Sequence, residues 1–130
     1  EREKQAKAAE EQAQRDRMLL ATYQNVDEIE LLRARRLDQI DAQLTIQEQS
    51  LTNLKARHAE QVKRASRYQP ANQDPKAPPM PEGMAEDIAR AESDIRTQQL
   101  NLDKRRKERS ALNQQFDADV ARFKELRGIK

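Results

Sequence analysis

Apolar residues recur along two stretches of the chain in alternating steps of three and four positions. The repeating positions are, in the first stretch, Leu37, Ile40, Leu44, Gln47, Leu51, Leu54 and His58, and, in the second, Met84, Ile88, Ala91, Ile95, Gln98, Leu102, Arg105, Arg109, Leu112 and Phe116. This spacing is typical of the seam of a heptad coiled coil, where a narrow stripe of each helix is buried against a partner. The pattern therefore predicts two long helices.

The region between the two stretches, residues 70–83, contains all five prolines of the chain and one of its two glycines. Since proline and glycine end helices, the chain should reverse direction there. The predicted fold is all-α, a long antiparallel two-helix coiled-coil hairpin with a proline-rich tip loop. Its predicted parts are a charged helical extension (1–22), arm one (23–68), the tip loop (69–81), arm two (82–127) and a tail (128–130).

Both seams are interrupted by a step of 11 residues, from Val26 to Leu37 and from Leu112 to Phe123. Steps of this length should unwind a supercoil locally. If the numbers of paired residues sum to about 149, the two interruptions face each other across the hairpin. A register in which they sum to about 145 fits almost as well, and would pair Gln47 with Gln98.

The first 17 residues differ from the rest, with five basic and five acidic side chains and no large apolar one. We expect them to extend past the end of arm two as a solitary, fraying helix. Farther along, Asn25 is followed three positions later by Glu28, which is the form of a capping box. The helix can either break at this point or run through it.

Charge is nearly balanced, with 25 Lys and Arg against 23 Asp and Glu. This balance, with few aromatic residues, argues against nucleic acid as a partner, and no apolar run is long enough to insert into a membrane. Charged runs should instead pair between the arms. Residues 33–36 should lie opposite Asp117 and Asp119, and Asp38 and Asp41 should lie opposite the basic run 104–109.

The sequence contains no motif that is typical of a catalytic site. His58 is the single histidine, there is no cysteine, and neither a glycine-rich phosphate loop nor a nucleophile paired with a base is present. At its seam position, His58 is better explained as a polar residue that sets the register than as a metal ligand. We therefore expect no enzyme activity, no catalytic residues, no cofactor and no metal.

The tip loop is one candidate for binding a protein partner, through Asp74, Pro78, Pro79 and Met80. The run "APPMP" (77–81) favours a polyproline II conformation, which some protein domains recognise. The alternative is that these prolines only end two helices and stiffen the turn.

A second candidate surface consists of Ile46 and Leu100, which fall outside the seam at similar levels on opposite arms. They could form a second apolar stripe that docks another hairpin and gives a homodimer. They could also be ordinary scattered apolar residues, as could Met18, Leu20 and Leu31.

Two segments, 15–44 and 80–128, carry the runs "LLATY" followed by "DEI", "RxRRLxxID" and "DxxRFKEL". With these runs the chain resembles a family of uncharacterised bacterial cell-envelope proteins. Members of that family look like a secretion signal and a small N-terminal β-rich domain followed by a helical hairpin of this design. The resemblance implies a location in the periplasm or cell envelope and a preceding domain that is missing from this chain. It implies no catalytic or binding residues.

These observations favour a non-catalytic structural or interaction protein that acts as a spacer or docking rod in a bacterial envelope. The alternative is a regulatory coiled-coil finger that inserts its tip loop, with Asp74 at the working end, into a larger complex. Under the first hypothesis, changes in the tip loop should matter little; under the second, they should abolish function.

Overall fold

A computed structural model describes residues 1–129, and these residues form three α-helices. Helix α1 spans Arg2–Thr22, α2 spans Val26–Ala65 and α3 spans Met84–Arg127. The prediction of an all-α protein with two long antiparallel helices packed together is confirmed, and α1 adds a third, shorter helix. The contacts divide the chain into two compact units, the first formed by Glu1–Ile40 with Lys107–Lys130 and the second by Asp41–Arg106.

The second unit contains the paired parts of α2 and α3. Four of its five buried residues lie at predicted seam positions, and the fifth is Ala65 at the end of α2. Leu44, Leu51, Ala91 and Leu102 are buried, and the other predicted seam positions in this unit are partly buried. Because leucine and alanine are strong helix formers, the residues that form the seam also favour the helices that carry it.

Contacts between the helices of the second unit give the register. Ser50 donates a hydrogen bond to Gln98, and their numbers sum to 148. His58 lies against Glu92, and these numbers sum to 150. The structure therefore has the register with sums near 149, not the one that pairs Gln47 with Gln98. From the first pair to the second, the residue number on α2 rises from 50 to 58 while the number on α3 falls from 98 to 92. The two helices are therefore antiparallel.

The first unit has a core built around Ile29, Phe116 and Phe123. Partly buried residues from all three helices pack against this core: Leu19, Leu20, Tyr23, Val26, Leu32, Leu112 and Val120. Ile29 falls within the 11-residue step of α2, and the two phenylalanines fall within or at the edge of the matching step of α3, so the interrupted seams do face each other. The extra apolar positions are used because a third helix covers this part of the pair.

A short connection, residues 23–25, separates α1 from α2. Tyr23 is extended, with φ −120° and ψ 140°. The Asn25 side-chain oxygen accepts a hydrogen bond from the Glu28 N–H at 3.0 Å, and the Glu28 carboxylate accepts one from the Gln24 N–H at 2.9 Å. This is a capping box in which the glutamate reaches one residue farther back than usual. Of the two alternatives at Asn25, the helix break is the correct one.

The expectation that the first 17 residues extend past α3 as a solitary helix is wrong for the C-terminal part of α1. Asp16 accepts two hydrogen bonds from the Arg122 guanidinium, at 2.7 and 2.9 Å. The non-helical connection lets the chain turn back, so that Leu19 and Leu20 reach the aromatic core. Residues 1–11, in contrast, are all exposed.

Both ends of α3 depend on a glycine with positive φ. Gly83 has φ 86° at the third position of a turn closed by the Met84 N–H and the Pro81 carbonyl, so the helix begins two residues after the predicted start of arm two. Gly128 has φ 65°, and the bonds from Gly128 to Glu125 and from Ile129 to Lys124 form a Schellman motif.

The described residues contain no β-strand, and the single feature of that kind is an isolated bridge between Gln69 and Pro79. Residues 1–129 therefore contain no β-rich domain. None of these helices is both long and apolar enough to span a membrane.

Candidate functional site

The tip loop (69–81) is held in shape by Asp74 and its neighbours. The Asp74 carbonyl accepts a hydrogen bond from the Ala77 N–H at 3.0 Å, which closes a turn with Pro75 at its second position. The Asp74 carboxylate accepts one from the Lys76 N–H at 2.9 Å, and the Asn72 side chain accepts one from the Asp74 N–H at 3.0 Å. Aspartate and proline favour these positions of a turn because their side chain and ring stabilise it locally.

A second set of bonds ties the two sides of the loop together through Gln69. The Gln69 N–H donates to the Pro78 carbonyl at 2.9 Å, and the Met80 N–H donates to the Gln69 carbonyl at 3.2 Å. The Gln69 side chain donates to the Asp74 carbonyl at 2.9 Å. Pro79 lies between the two bonding residues, so this pairing needs no N–H from it. The loop therefore has a defined conformation.

The residues proposed for binding differ in their availability. Asp74, Pro78 and Pro79 are exposed, whereas Met80 is partly buried. Because the Asp74 carboxylate already bonds the loop backbone, its clearest role in the structure is to hold the loop. The prolines present the exposed surface, and their part in binding a partner stays a prediction.

Ile46 and Leu100, in the second unit, are 70% and 69% exposed. Leu100 lies two residues from the seam positions Gln98 and Leu102, so it points away from α2. Ile46 is one residue from the seam and borders an open groove of about 570 Å³. The two side chains thus point in different directions, and a homodimer contact through them stays a prediction.

His58 lies on the seam beside α3, as expected for a polar seam residue. Its Nε2 atom is 3.1 Å from the Glu92 carboxylate. Within residues 1–129, no three side chains of the His, Cys, Asp and Glu types come together in a way that could hold a metal ion. His58 therefore makes a contact between α2 and α3.

Charged side chains pair between the long helices in both units. In the first unit, Arg33 donates to Asp117 at 2.6 Å and its guanidinium carbon lies 5.9 Å from the centre of the Phe116 ring, so the predicted pairing of residues 33–36 with Asp117 is confirmed for this residue. In the second unit, Arg106 of the basic run lies 3.3 Å from Glu48. These ion pairs connect the helices in the observed register.

One surface was missed by the sequence analysis, a groove of about 680 Å³ between α1 and α3 in the first unit. Its apolar lining includes Met18, Leu19 and Tyr23. Hydrogen bonds from Arg122 hold the pKa of Asp16 down at about 2, against the opposing effect of partial burial. The spacing of residues 12, 16, 19 and 23 has the same steps as the seam and could have indicated a packed face on α1.

Comparison with known proteins finds no family model that matches the chain, no significantly similar curated protein and no significantly similar solved structure. The assignment to a bacterial cell-envelope family is therefore wrong, since no family is identified and the described residues contain no β-rich domain. The periplasmic or envelope location that it implied stays a prediction with no structural observation behind it.

Proposed function

We propose that this chain is a non-catalytic structural and interaction element, an antiparallel coiled-coil hairpin that serves as a spacer or docking rod. The observation that carries this proposal is the seam, because the buried residues Leu44, Leu51, Ala91 and Leu102 of the second unit lie along one line between α2 and α3. The remaining helix surface is exposed and mostly charged or polar, which suits a scaffold that presents side chains to another protein.

The coiled-coil register is tested with engineered cysteines, since the chain has none of its own. A Ser50→Cys, Gln98→Cys pair should form a disulfide under mild oxidation, because these two positions face each other across α2 and α3. A Gln47→Cys, Gln98→Cys pair is the matched control and should form one more slowly. Faster bridging in the control would contradict the proposed register.

A second candidate function is a finger that docks through the tip loop, and the ordered loop favours it. A segment that only joined two helices would not need Gln69 and Asp74 to bond both of its sides. Such a preformed loop lowers the entropy lost when a partner binds. In this case the helices hold the loop, and the loop makes the contact.

One crosslinking experiment tests both candidates. A photoreactive amino acid is placed at Ile46, at Leu100 or at Pro79 of the chain in the cells that make it, and protein adducts are identified after irradiation. Adducts at the helix positions would support docking along the rod, and adducts only at Pro79 would support the finger. If none of the three positions gives a protein adduct, the interaction proposal fails.

Self-association is measured by light scattering coupled to size exclusion. A mass that doubles as concentration rises would support a homodimer, and adducts between two copies at Ile46 or Leu100 would place the contact.

We propose no nucleic-acid partner and no membrane insertion. Binding to nucleic acid that weakens steeply with salt would contradict the first of these statements.

A further inference from the structure

The segment 78–81 of the tip loop contains Pro79, which forms an isolated β-bridge with Gln69. Three of its four residues are prolines, whose rings fix φ near the value of a polyproline II helix. The paired bonds between Gln69 and the residues on either side of Pro79 hold the middle of this segment straight. Sequence preference and tertiary bonding therefore favour the same conformation.

The exposed rings of this segment form a regular surface. A polyproline II helix has three residues per turn, so Pro78 and Pro81 lie on the same side. Both are exposed, and Pro79 beside them is exposed as well, whereas Met80 is partly buried. The segment thus presents proline rings to solvent, while its polar backbone atoms at Pro78 and Met80 bond Gln69.

A second copy of this chain does not offer a complementary surface. Proline rings pack best on flat aromatic side chains, which line the grooves of domains that bind such segments. This chain has no tryptophan, two tyrosines and two phenylalanines. Both phenylalanines are buried and both tyrosines are partly buried, and the groove between α1 and α3 has a single aromatic residue, Tyr23, in its lining. The partner must be a different protein.

We infer that residues 78–81 are a preformed polyproline II ligand for a partner protein with an aromatic-lined groove. Lys76 is exposed just before this segment, so a carboxylate at the rim of the groove would complement it. This inference rests on the second candidate function, in which the tip loop is the docking site, and it specifies the chemistry of the partner.

The test uses the purified full chain, labelled with ¹⁵N, and a panel of polyproline-binding domains consisting of a WW, an SH3 and an EVH1 domain. At least one domain should bind saturably, with amide shifts concentrated near Gln69 and Met80. Pro78→Ala combined with Pro79→Ala should weaken that binding at least about tenfold. Gln73→Ala, a change at an exposed residue of the same loop outside the segment, is the control and should change binding less than about twofold.

Loop structure is checked separately, since the double variant keeps the Pro78 carbonyl and the Met80 N–H that bond Gln69. Unchanged amide shifts at Gln69 in the free variant would show that the loop persists. A synthetic peptide of residues 76–82 provides a second measurement, and should bind more weakly than the full chain because it is not held straight.

The inference is overturned if no domain of the panel binds, or if Gln73→Ala weakens binding as much as the double variant. It is also overturned if the chain's own tip resonances shift with its concentration, because a second copy would then be the occupant. A protein adduct at Pro79 in the crosslinking experiment, together with a panel that does not bind, would overturn this inference and leave the proposed function standing.

Discussion

Two leucines on α3 give a matched test of the seam, because they lie two residues apart in opposite surroundings. Leu102 is 3% exposed and Leu100 is 69% exposed. Replacing either with alanine removes the same atoms from the same helix, and alanine is at least as good a helix former. A difference in stability between the two variants therefore reports burial alone.

The expected cost of Leu102→Ala follows from its position. Buried Leu→Ala changes cost about 2–5 kcal/mol, and the lower part of this range applies where neighbouring side chains can move into the space. A seam between two helices is open at its sides, so we expect about 2–3 kcal/mol. Leu100→Ala should change the free energy of unfolding by less than about 0.5 kcal/mol.

Urea unfolding followed by circular dichroism measures both values, and thermal unfolding provides a check. At about 4 °C per kcal/mol for a chain of this size, Leu102→Ala should lower Tm by about 8–12 °C. Equal losses in the two variants would refute the placement of the seam. A loss for Leu100→Ala that grows with protein concentration would instead place Leu100 in a contact between copies.

Three further changes test local features of the fold. Asp16→Asn should release α1 from α3. Because the pKa of Asp16 is about 2 in the folded chain against its ordinary 3.8, the pair stabilises the protein above about pH 4 and this contribution is lost as the pH falls through about 2. The variant should therefore lose less stability than the parent chain over that window in acid titrations followed by circular dichroism, and an equal loss would contradict the role of the ion pair. Asn25→Ala should cost about 1 kcal/mol and speed hydrogen exchange at the Glu28 amide, with no such change if the cap is unimportant. Gly83→Ala should cost about 1 kcal/mol in urea unfolding, because φ is 86° there although the space is open, and a neutral result would mean that the turn rearranges freely.

The long helices could be predicted from the sequence because their information is local and repeated. Each step of three or four, such as Ile40 to Leu44 or Leu51 to Leu54, indicates the same face of the helix, so a few polar positions do not hide it. The break at Asn25 was also readable, as one of two alternatives, from the distance between a cap and its glutamate. Neither feature depends on knowing what lies far away in the chain.

The rest depended on contacts between distant residues. The return of α1 onto α3 needs Asp16 to meet Arg122, which are 106 positions apart. The spacing on α1 can indicate a packed face, but it does not identify the distant residue that the face packs against. The role of Asp74 was missed for a similar reason. The sequence around an exposed aspartate in a loop does not distinguish a residue that binds a partner from one that accepts a hydrogen bond from its own backbone. The family assignment failed because helix-forming residues recur in unrelated coiled coils.

The short connection of residues 23–25 lowers the affinity that α1 needs in order to stay packed on α3. Tied to α2 by so short a link, α1 is always near its site on α3, at an effective concentration on the order of millimolar or above. A few apolar contacts and one ion pair, too weak to capture a free helix from solution, are then sufficient. Lengthening this link with flexible residues would weaken the docking of α1 without altering any atom of either surface.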